Sequence, residues 1–357
     1  MMKKWSIGIV LGLILVVVFV FIGIRFTTYH PDEIESVPVQ CKDAPLLRPG
    51  QKIKVMSYNV QFMAGKNYVF FFDVPGHEGP DERPSSEDID KTLDRVAQII
   101  RLEDPDIILL QEVDKGAKRT DYQDQTQLLI ERLPDQTYCA ASAFYWKAKY
   151  VPHPRIRGAV GMKLVTLSKY KIDNATRHQL PLVPGNWLVQ QFNIKRAILE
   201  TQMPITDGST LSCYNVHLEA FTRGTDVAEQ QVAMLQGLLQ AQTRHWIAGG
   251  DYNLLPPGHY EWLDLAEKEY YRPDSEIKRL YDRFPGIPPK ADLLDTTKAK
   301  QWFTHNPNNP KAEGPDKTID YFFYSPALQV DTSYVRHHDT LDISDHLPLI
   351  STFIVPE

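Results

Sequence analysis

"DIDKTLDRVAQIIRLEDPDIILLQEVD", residues 88–114, carries two periodicities in one stretch. Leu93, Val96, Ile99 and Ile100 recur at helical spacing, with Asp88 or Asp90 placed to cap the helix. The apolar run "DIILLQEVD" then reads as a buried strand. Just upstream, "KIKVMSYNV" (52–60) is a short β-type run ending in polar residues. Strand, helix, strand in that order predicts an α/β layered fold.

The alternation continues outward. "GAVGMKLVTLSKY" (158–170), "KRAILETQMPI" (195–205) and "STLSCYNVHLEA" (209–220) read as strands. "TDVAEQQVAMLQGLLQAQ" (225–242) is a periodic helix, and "HWIAGGDYN" (245–253) a strand and turn. Residues 256–316 are less regular, with a helix expected around "EYYRPDSEIKRLYDRF" (269–284). "TIDYFFYS" (318–325) and "HLPLISTFIV" (346–355) are the last strands. No repeat or low-complexity segment interrupts the pattern, so 51–357 is expected as one domain.

The other end of the chain differs. "SIGIVLGLILVVVFVFIGI" (6–24) has no charge and reaches about 28 Å as a helix, close to the hydrocarbon thickness of a bilayer. Lys3 and Lys4 precede it, which favours a cytoplasmic N-terminus. A cleaved secretory signal is the alternative, but "IRFTTYH" behind the run offers no small-x-small cleavage site. The expectation is therefore a signal anchor and transmembrane helix over 1–25, a proline-rich linker over 26–50, and a single-pass protein whose domain lies outside the cytoplasm.

Composition narrows the classes further. At 43% hydrophobic and 24% charged the chain has globular composition, and its net charge of −6 gives no general affinity for nucleic acid. Three cysteines without a CxxC spacing exclude zinc-ribbon and thioredoxin readings. The odd count argues against a disulfide framework, leaving Cys139–Cys213 as the one pairing considered.

Residues able to bind metal, move a proton or hold phosphate stand at successive strand ends: Asn59, Glu112, His217, Asp251 with Asn253, Asp320, and Asp345 with His346. Singly, each has an ordinary reading as a turn asparagine, a surface acid or a satisfied core histidine. Glu112 is a hard oxygen ligand suited to Mg²⁺ or Mn²⁺, and the Asn59 amide oxygen can ligate without adding charge. In an extended "GGDYN", Asp251 and Asn253 would share a face. Asp320 lies in an apolar run, where a charge needs a partner, and a histidine oriented by it would gain basicity.

Taken in order, the series Asn, Gln-Glu, Asn-x-His-Leu, Gly-Asp-x-Asn, Ile-Asp-Tyr, Ser-Asp-His-x-Pro resembles the endonuclease/exonuclease/phosphatase superfamily over roughly residues 53–355. That resemblance implies a four-layer α/β sandwich, two mixed β-sheets flanked by helices, with the site at one end of the sheets. It implies a metal-dependent phosphoesterase using Mg²⁺, with Mn²⁺ as a substitute. By resemblance, Asn59 and Glu112 match the metal-binding motifs, and Asp345 either joins them or holds His217. Asp251 and Asn253 match the pair that positions the attacking water. His217 matches the histidine stabilising the phosphorane, and Asp320 the acid orienting His346. Either Asp251 or His346 could be the base. Arg196 resembles an arginine facing the substrate phosphate, with a surface arginine as the alternative. "GMKLVTLSKYKI" departs from the glycine-asparagine and Ser-Arg-Tyr-Pro pattern frequent in relatives, which touches only loop geometry.

The resemblance leaves the substrate open between a nucleic acid and a phospholipid such as sphingomyelin, with an inositol-phosphate phosphatase or a non-catalytic tethered module as alternatives. It calls for no obligate protein partner. Two stretches bear on the choice. "FYWKAKYVPHPRIR" (144–157) interleaves basic and aromatic residues suited to a nucleic-acid backbone or anionic headgroups, or is a solvated loop. "NYVFFFDVPG" (67–76) either packs in the core or meets a bilayer.

Overall fold

The computed structural model of the chain describes residues 2–70, 83–133, 137–220, 222, 224–265, 267–309 and 312–357. The strands are β1 (Ile34–Ser36), β2 (Val39–Gln40), β3 (Lys52–Asn59), β4 (Ile107–Asp114), β5 (Cys139–Val151), β6 (Gly158–Ser168) and β7 (Asn174–Gln179). They continue with β8 (Ala197–Pro204), β9 (Thr210–His217), β10 (His245–Asp251), β11 (Gly286–Ile287), β12 (Asp320–Tyr324), β13 (Gln329–Val335) and β14 (Leu349–Ile354). The helices are α1 (Met2–Thr27), α2 (Ser86–Glu103), α3 (Gln125–Glu131), α4 (Trp187–Phe192), α5 (Val227–Gln240), α6 (Lys278–Tyr281) and α7 (Lys290–Leu294).

Two mixed sheets result. One runs β13-β14-β3-β4-β6-β5-β2, the other β1-β7-β8-β9-β10-β12-β11. Period-2 alternation assigns each strand's faces. In β3 and β4, Ile53, Val55, Ile107 and Leu109 join the core between the sheets. The alternate residues Met56, Tyr58, Ile108 and Leu110 meet Ile89, Leu93, Val96, Ile99 and Ile100 of α2. On the far side Val232, Leu235 and Leu239 of α5 pack onto the second sheet. Helix, sheet, sheet, helix is the layered order expected from the sequence. Each of these fully buried side chains contributes on the order of 2 kcal/mol of transfer free energy, so the α2 face alone outweighs its modest helix propensity.

Several local expectations change. Ser85, not Asp88 or Asp90, caps α2: its hydroxyl accepts from the Asp88 backbone amide at 3.1 Å. The helix expected over 269–284 reduces to α6, four residues. Residues 26–50, expected as a linker, lie along the domain: β1 pairs with β7, β2 pairs with β5, and Leu47 is buried in the main core. Few apolar residues are needed for this, because sheet edges satisfy its backbone groups. The β2–β5 pairing sets Gln40 opposite Ala140, which brings Cys41 to Cys139. These two form the disulfide, so the Cys139–Cys213 pairing is wrong; Cys213 is a buried free thiol in β9.

Helix α1 contains a segment, Gly8–Thr27, with mean hydropathy 3.0, long and apolar enough to cross a membrane. A signal sequence would satisfy the same criterion. The aromatic run 67–76 passes outside the described residues from Phe71 onward; Phe70 itself is buried against Phe62 and Ala64.

Candidate active site

The site assembles where strands of both sheets end. β9 and β10 are parallel with His217 opposite Asp251, and β10 and β12 are antiparallel with Asp251 opposite Asp320. Register alone therefore sets one histidine and two acids side by side at one rim. From the other sheet, β3 ends at Asn59, paired in register with Gln111. One residue on, Glu112 sits at an irregularity in the β4–β6 ladder with a left-handed backbone (φ 59°). A bulge of this kind re-aims a side chain that regular alternation would point elsewhere, and such strain gathers at functional sites.

Gly250 makes the approach of β9 and β10 possible. Its φ is +151°, and a Cβ there would fall 1.9 Å from the Val216 carbonyl oxygen. No other residue fits that position.

At the centre lies one atom. Asp251 Oδ2 accepts from Asn59 Nδ2 at 3.0 Å and stands 3.3 Å from His217 Nε2 and 3.5 Å from His346 Nε2. His346 in turn bonds Asp320 Oδ2 through Nδ1 at 2.8 Å. Asn59 Nδ2 also reaches Glu112 Oε1 at 3.3 Å. All of these but Glu112 are buried. Ser344 ties in the last loop by donating to the Asn59 carbonyl oxygen at 2.8 Å and to Asp345 Oδ1 at 3.2 Å.

Burial alone would lower the His346 pKa, but the Asp320 and Asp251 carboxylates hold it well above the usual histidine range. Burial pushes Asp251 up, to about 7, against the pull of cationic His346 and with Asp320 adding to the rise. His217 goes the other way: burial, then the charges of Arg196 and His346, keep it well below 6.5 and neutral. Two histidines thus stand on either side of one carboxylate in opposite charge states.

Arg196 is buried, not a surface arginine. Its Nε lies 3.4 Å from Glu219 Oε1, its guanidinium 5.3 Å from the Tyr145 ring centre, and its Nη1 has no protein partner. Asn253 departs from the extended-face expectation. The strand ends at Asp251, Asn253 is left-handed (φ 52°), and its amide N–H donates to Asp251 Oδ1 at 2.9 Å. Its Nδ2 donates to the Leu218 carbonyl oxygen at 3.1 Å, so Asn253 shapes the turn that holds Asp251.

Sequence reasoning missed three contributors. Tyr145, placed in a basic loop, is fully buried in β5 with its ring edge-on to His217 at 5.3 Å. The nearly unbroken apolar run "CAASAFYW" (139–146) was the signal for a buried strand there. Gln111 and Asn215 join the two sheets through the core: Gln111 Nε2 donates to Asn215 Oδ1 at 2.8 Å, and Asn215 Nδ2 donates to the Leu110 and Val165 carbonyls at 3.0 Å each. Both stand in the ordered series beside Glu112 and His217 but were given no role there.

Among the described residues, one group of acids and histidine could take a cation. Asp251, Asp320 and His346 offer ligand atoms within 4.8 Å of one another. There, however, His346 is already committed to Asp320, so the three read as a proton-holding chain. Glu112, half-buried, is a hard oxygen donor, whereas the Asn59 amide oxygen accepts from the Gln61 backbone amide at 3.0 Å and turns its Nδ2 to Glu112 and Asp251. Arg119 and Arg196 act on Glu112, Arg196 and His346 on Asp251, and His346 on Asp320 and Asp345.

Three solved structures show how far the fold extends. An endonuclease/exonuclease/phosphatase from Beutenbergia cavernae aligns with 85% of this chain and 72% of its own at a TM-score of 0.53 and 18% identity. A family protein from Leptotrichia buccalis aligns over 84% and 99% at 0.53 and 16% identity. One from Bacteroides vulgatus aligns over 85% and 98% at 0.51 and 15% identity. At such identities the likeness is one of fold. No curated protein matches the sequence. The family model described as "Endonuclease/Exonuclease/phosphatase family" matches residues 56–346, from inside β3 to the second histidine of the site. The chain therefore belongs to the endonuclease/exonuclease/phosphatase family.

Proposed function

We propose that the protein is a divalent-metal-dependent phosphodiesterase, held on the outer face of a membrane by α1. The observation that carries the reading is the meeting of Asn59, His217 and His346 on one oxygen of Asp251, with Asp320 behind His346.

Ester hydrolysis at phosphorus needs a placed water, a proton acceptor and positive charge where the phosphorane forms. Asp251, with a pKa raised to about 7, is the acceptor. Its oxygen is oriented by Asn59, and the Asn253 turn fixes its other oxygen. His346, cationic and aligned by Asp320, donates to a phosphoryl oxygen and never has to form its charge during the reaction. Neutral His217 directs its Nε2 toward Asp251 and Glu112. Buried Arg196 adds positive charge beside Asp251 and Glu112. Glu112 and Asp345 would hold Mg²⁺ or Mn²⁺, which would supply positive charge to the phosphoryl group; Asn59, expected as a third ligand, has its amide oxygen on the Gln61 backbone amide.

The test uses the full chain in lipid nanodiscs with Mg²⁺ and a panel of DNA, RNA, sphingomyelin and phosphoinositides. Turnover of one diester, abolished by EDTA and restored by Mg²⁺ or Mn²⁺, is expected. Glu112→Gln should shift the metal dependence to higher concentration by roughly 10–100-fold. Full activity in EDTA contradicts the metal assignment. Release of phosphate only from monoesters would favour the inositol-phosphate alternative, and no turnover on any substrate the tethered binding module.

A further inference from the structure

The end of α1 is attached to a particular edge of the domain. Thr28, directly after the helix, pairs with Ala148 of β5. Phe21 stacks on Trp187 of α4, ring centres 4.6 Å apart. Phe21 precedes Thr27 by six residues, about 9 Å along the helix axis. If α1 spans the bilayer to Thr27, Trp187 sits at that depth from the surface, the depth at which interfacial aromatic side chains reside.

The residues around it suit that location. Trp187, Leu188 and Val189 are 46%, 50% and 45% exposed, three consecutive large apolar side chains at a position where a water-facing turn would carry polar ones. They are held firmly: Asn186 caps α4, Trp146 Nε1 donates to the Phe192 carbonyl at 2.8 Å, and Lys195 Nζ to the Gln190 carbonyl at 2.9 Å. On β5, Lys147 and Lys149 flank Ala148 and face outward. The arrangement is an apolar tip with basic flanks, attached to a membrane helix.

We propose that Trp187, Leu188 and Val189 enter the lipid headgroup boundary, with Lys147 and Lys149 on anionic headgroups, as a second membrane contact. The inference rests on the reading of α1 as an anchor. It makes the catalytic domain a body lying on the bilayer, not one swinging from a tether. The same strand carries Tyr145, two residues and about 7 Å before Lys147, so the contact also sets the distance between the candidate active site and the lipid.

The full chain is placed in nanodiscs of phosphatidylcholine, with or without a minor fraction of phosphatidylglycerol. An environment-sensitive fluorophore (NBD) is attached at Leu188→Cys or, as a control, at Asp207→Cys in the exposed β8–β9 turn. Cys213 is buried and Cys41 and Cys139 are bonded, so labelling is specific. Blue-shifted emission at 188, quenched by acyl-brominated lipid and absent at 207, is expected. Phosphatidylglycerol should strengthen the quenching, and Lys147→Glu with Lys149→Glu should remove that gain. A water-exposed probe at 188 in nanodiscs that retain the chain overturns the second contact. Quenching indifferent to phosphatidylglycerol and to the lysines overturns the headgroup assignment. A chain that does not co-purify with nanodiscs overturns the anchor reading instead.

Discussion

Replacing Asp320 by Asn tests the site from behind His346. Asp320 is buried, bonds His346 directly, and adds to the rise in the Asp251 pKa. One of its oxygens accepts from His346 Nδ1 at 2.8 Å; the other has no hydrogen-bond partner. The amide is nearly isosteric, so the fold should survive, but the charge that keeps His346 cationic is gone. If the amide turns its NH₂ toward the ring, Nδ1 must become an acceptor, so the ring is neutral with its proton on Nε2. Loss of an oriented proton donor typically costs about 10²–10⁴-fold in rate, or roughly 3–5 kcal/mol of barrier. The assay is steady-state hydrolysis of a diester with a poor leaving group at saturating Mg²⁺, with kcat and KM separated. Asp320→Asn should lower kcat by at least about a hundredfold and leave KM within a few-fold. The pair should also act as a unit: Asp320→Asn with His346→Ala should be no slower than His346→Ala alone. Retention of a large share of kcat in the single variant, or a multiplicative loss in the double one, would refute the Asp320–His346 assignment.

Three further outcomes follow from the packing. Gly250→Ala forces a Cβ onto the Val216 carbonyl at a φ of +151°, so thermal unfolding should show a loss of at least about 3 kcal/mol; an unchanged Tm would mean β9 and β10 do not approach so closely there. In denaturant without reductant the chain should titrate a single thiol, from Cys213, and all three after reduction; Cys41→Ser should destabilise by about 2–4 kcal/mol because the bridge closes a loop across a sequence separation of 98. At low pH the Asp316 pair should matter. Burial raises the Asp316 pKa, but His305 at 2.7 Å and Lys317 at 2.9 Å bring it down to about 2. A depressed carboxylate stabilises the fold above its unfolded value near 4 and loses that contribution as pH falls toward about 2. Asp316→Asn should therefore lower Tm near neutrality and flatten its pH dependence in that window; parallel wild-type and variant curves would dismiss the pair.

Much of this protein was readable from its residues in order. Helical spacing in 88–100 and the apolar run before Glu112 place α2 and β4, because burying a stripe or a face is a local requirement on sequence. The ordered series from Asn59 to His346 carries the family resemblance, which implies a phosphoesterase site, and the uncharged run at the N-terminus marks a segment able to span a membrane. Pairing was not readable. That Asp251 is the shared partner of His217, His346 and Asn59 depends on the register of three strands and two sheets, which no local pattern encodes. Cys41 meets Cys139 only because an edge strand crosses from the segment that looked like a linker. Tyr145 joins the site only through burial beside His217, and the burial of Arg196 is likewise decided by packing. A side chain's type is written in the chain, but its charge state and its partners are set by burial and by contacts distant in sequence, and those exist only once the sheets have packed.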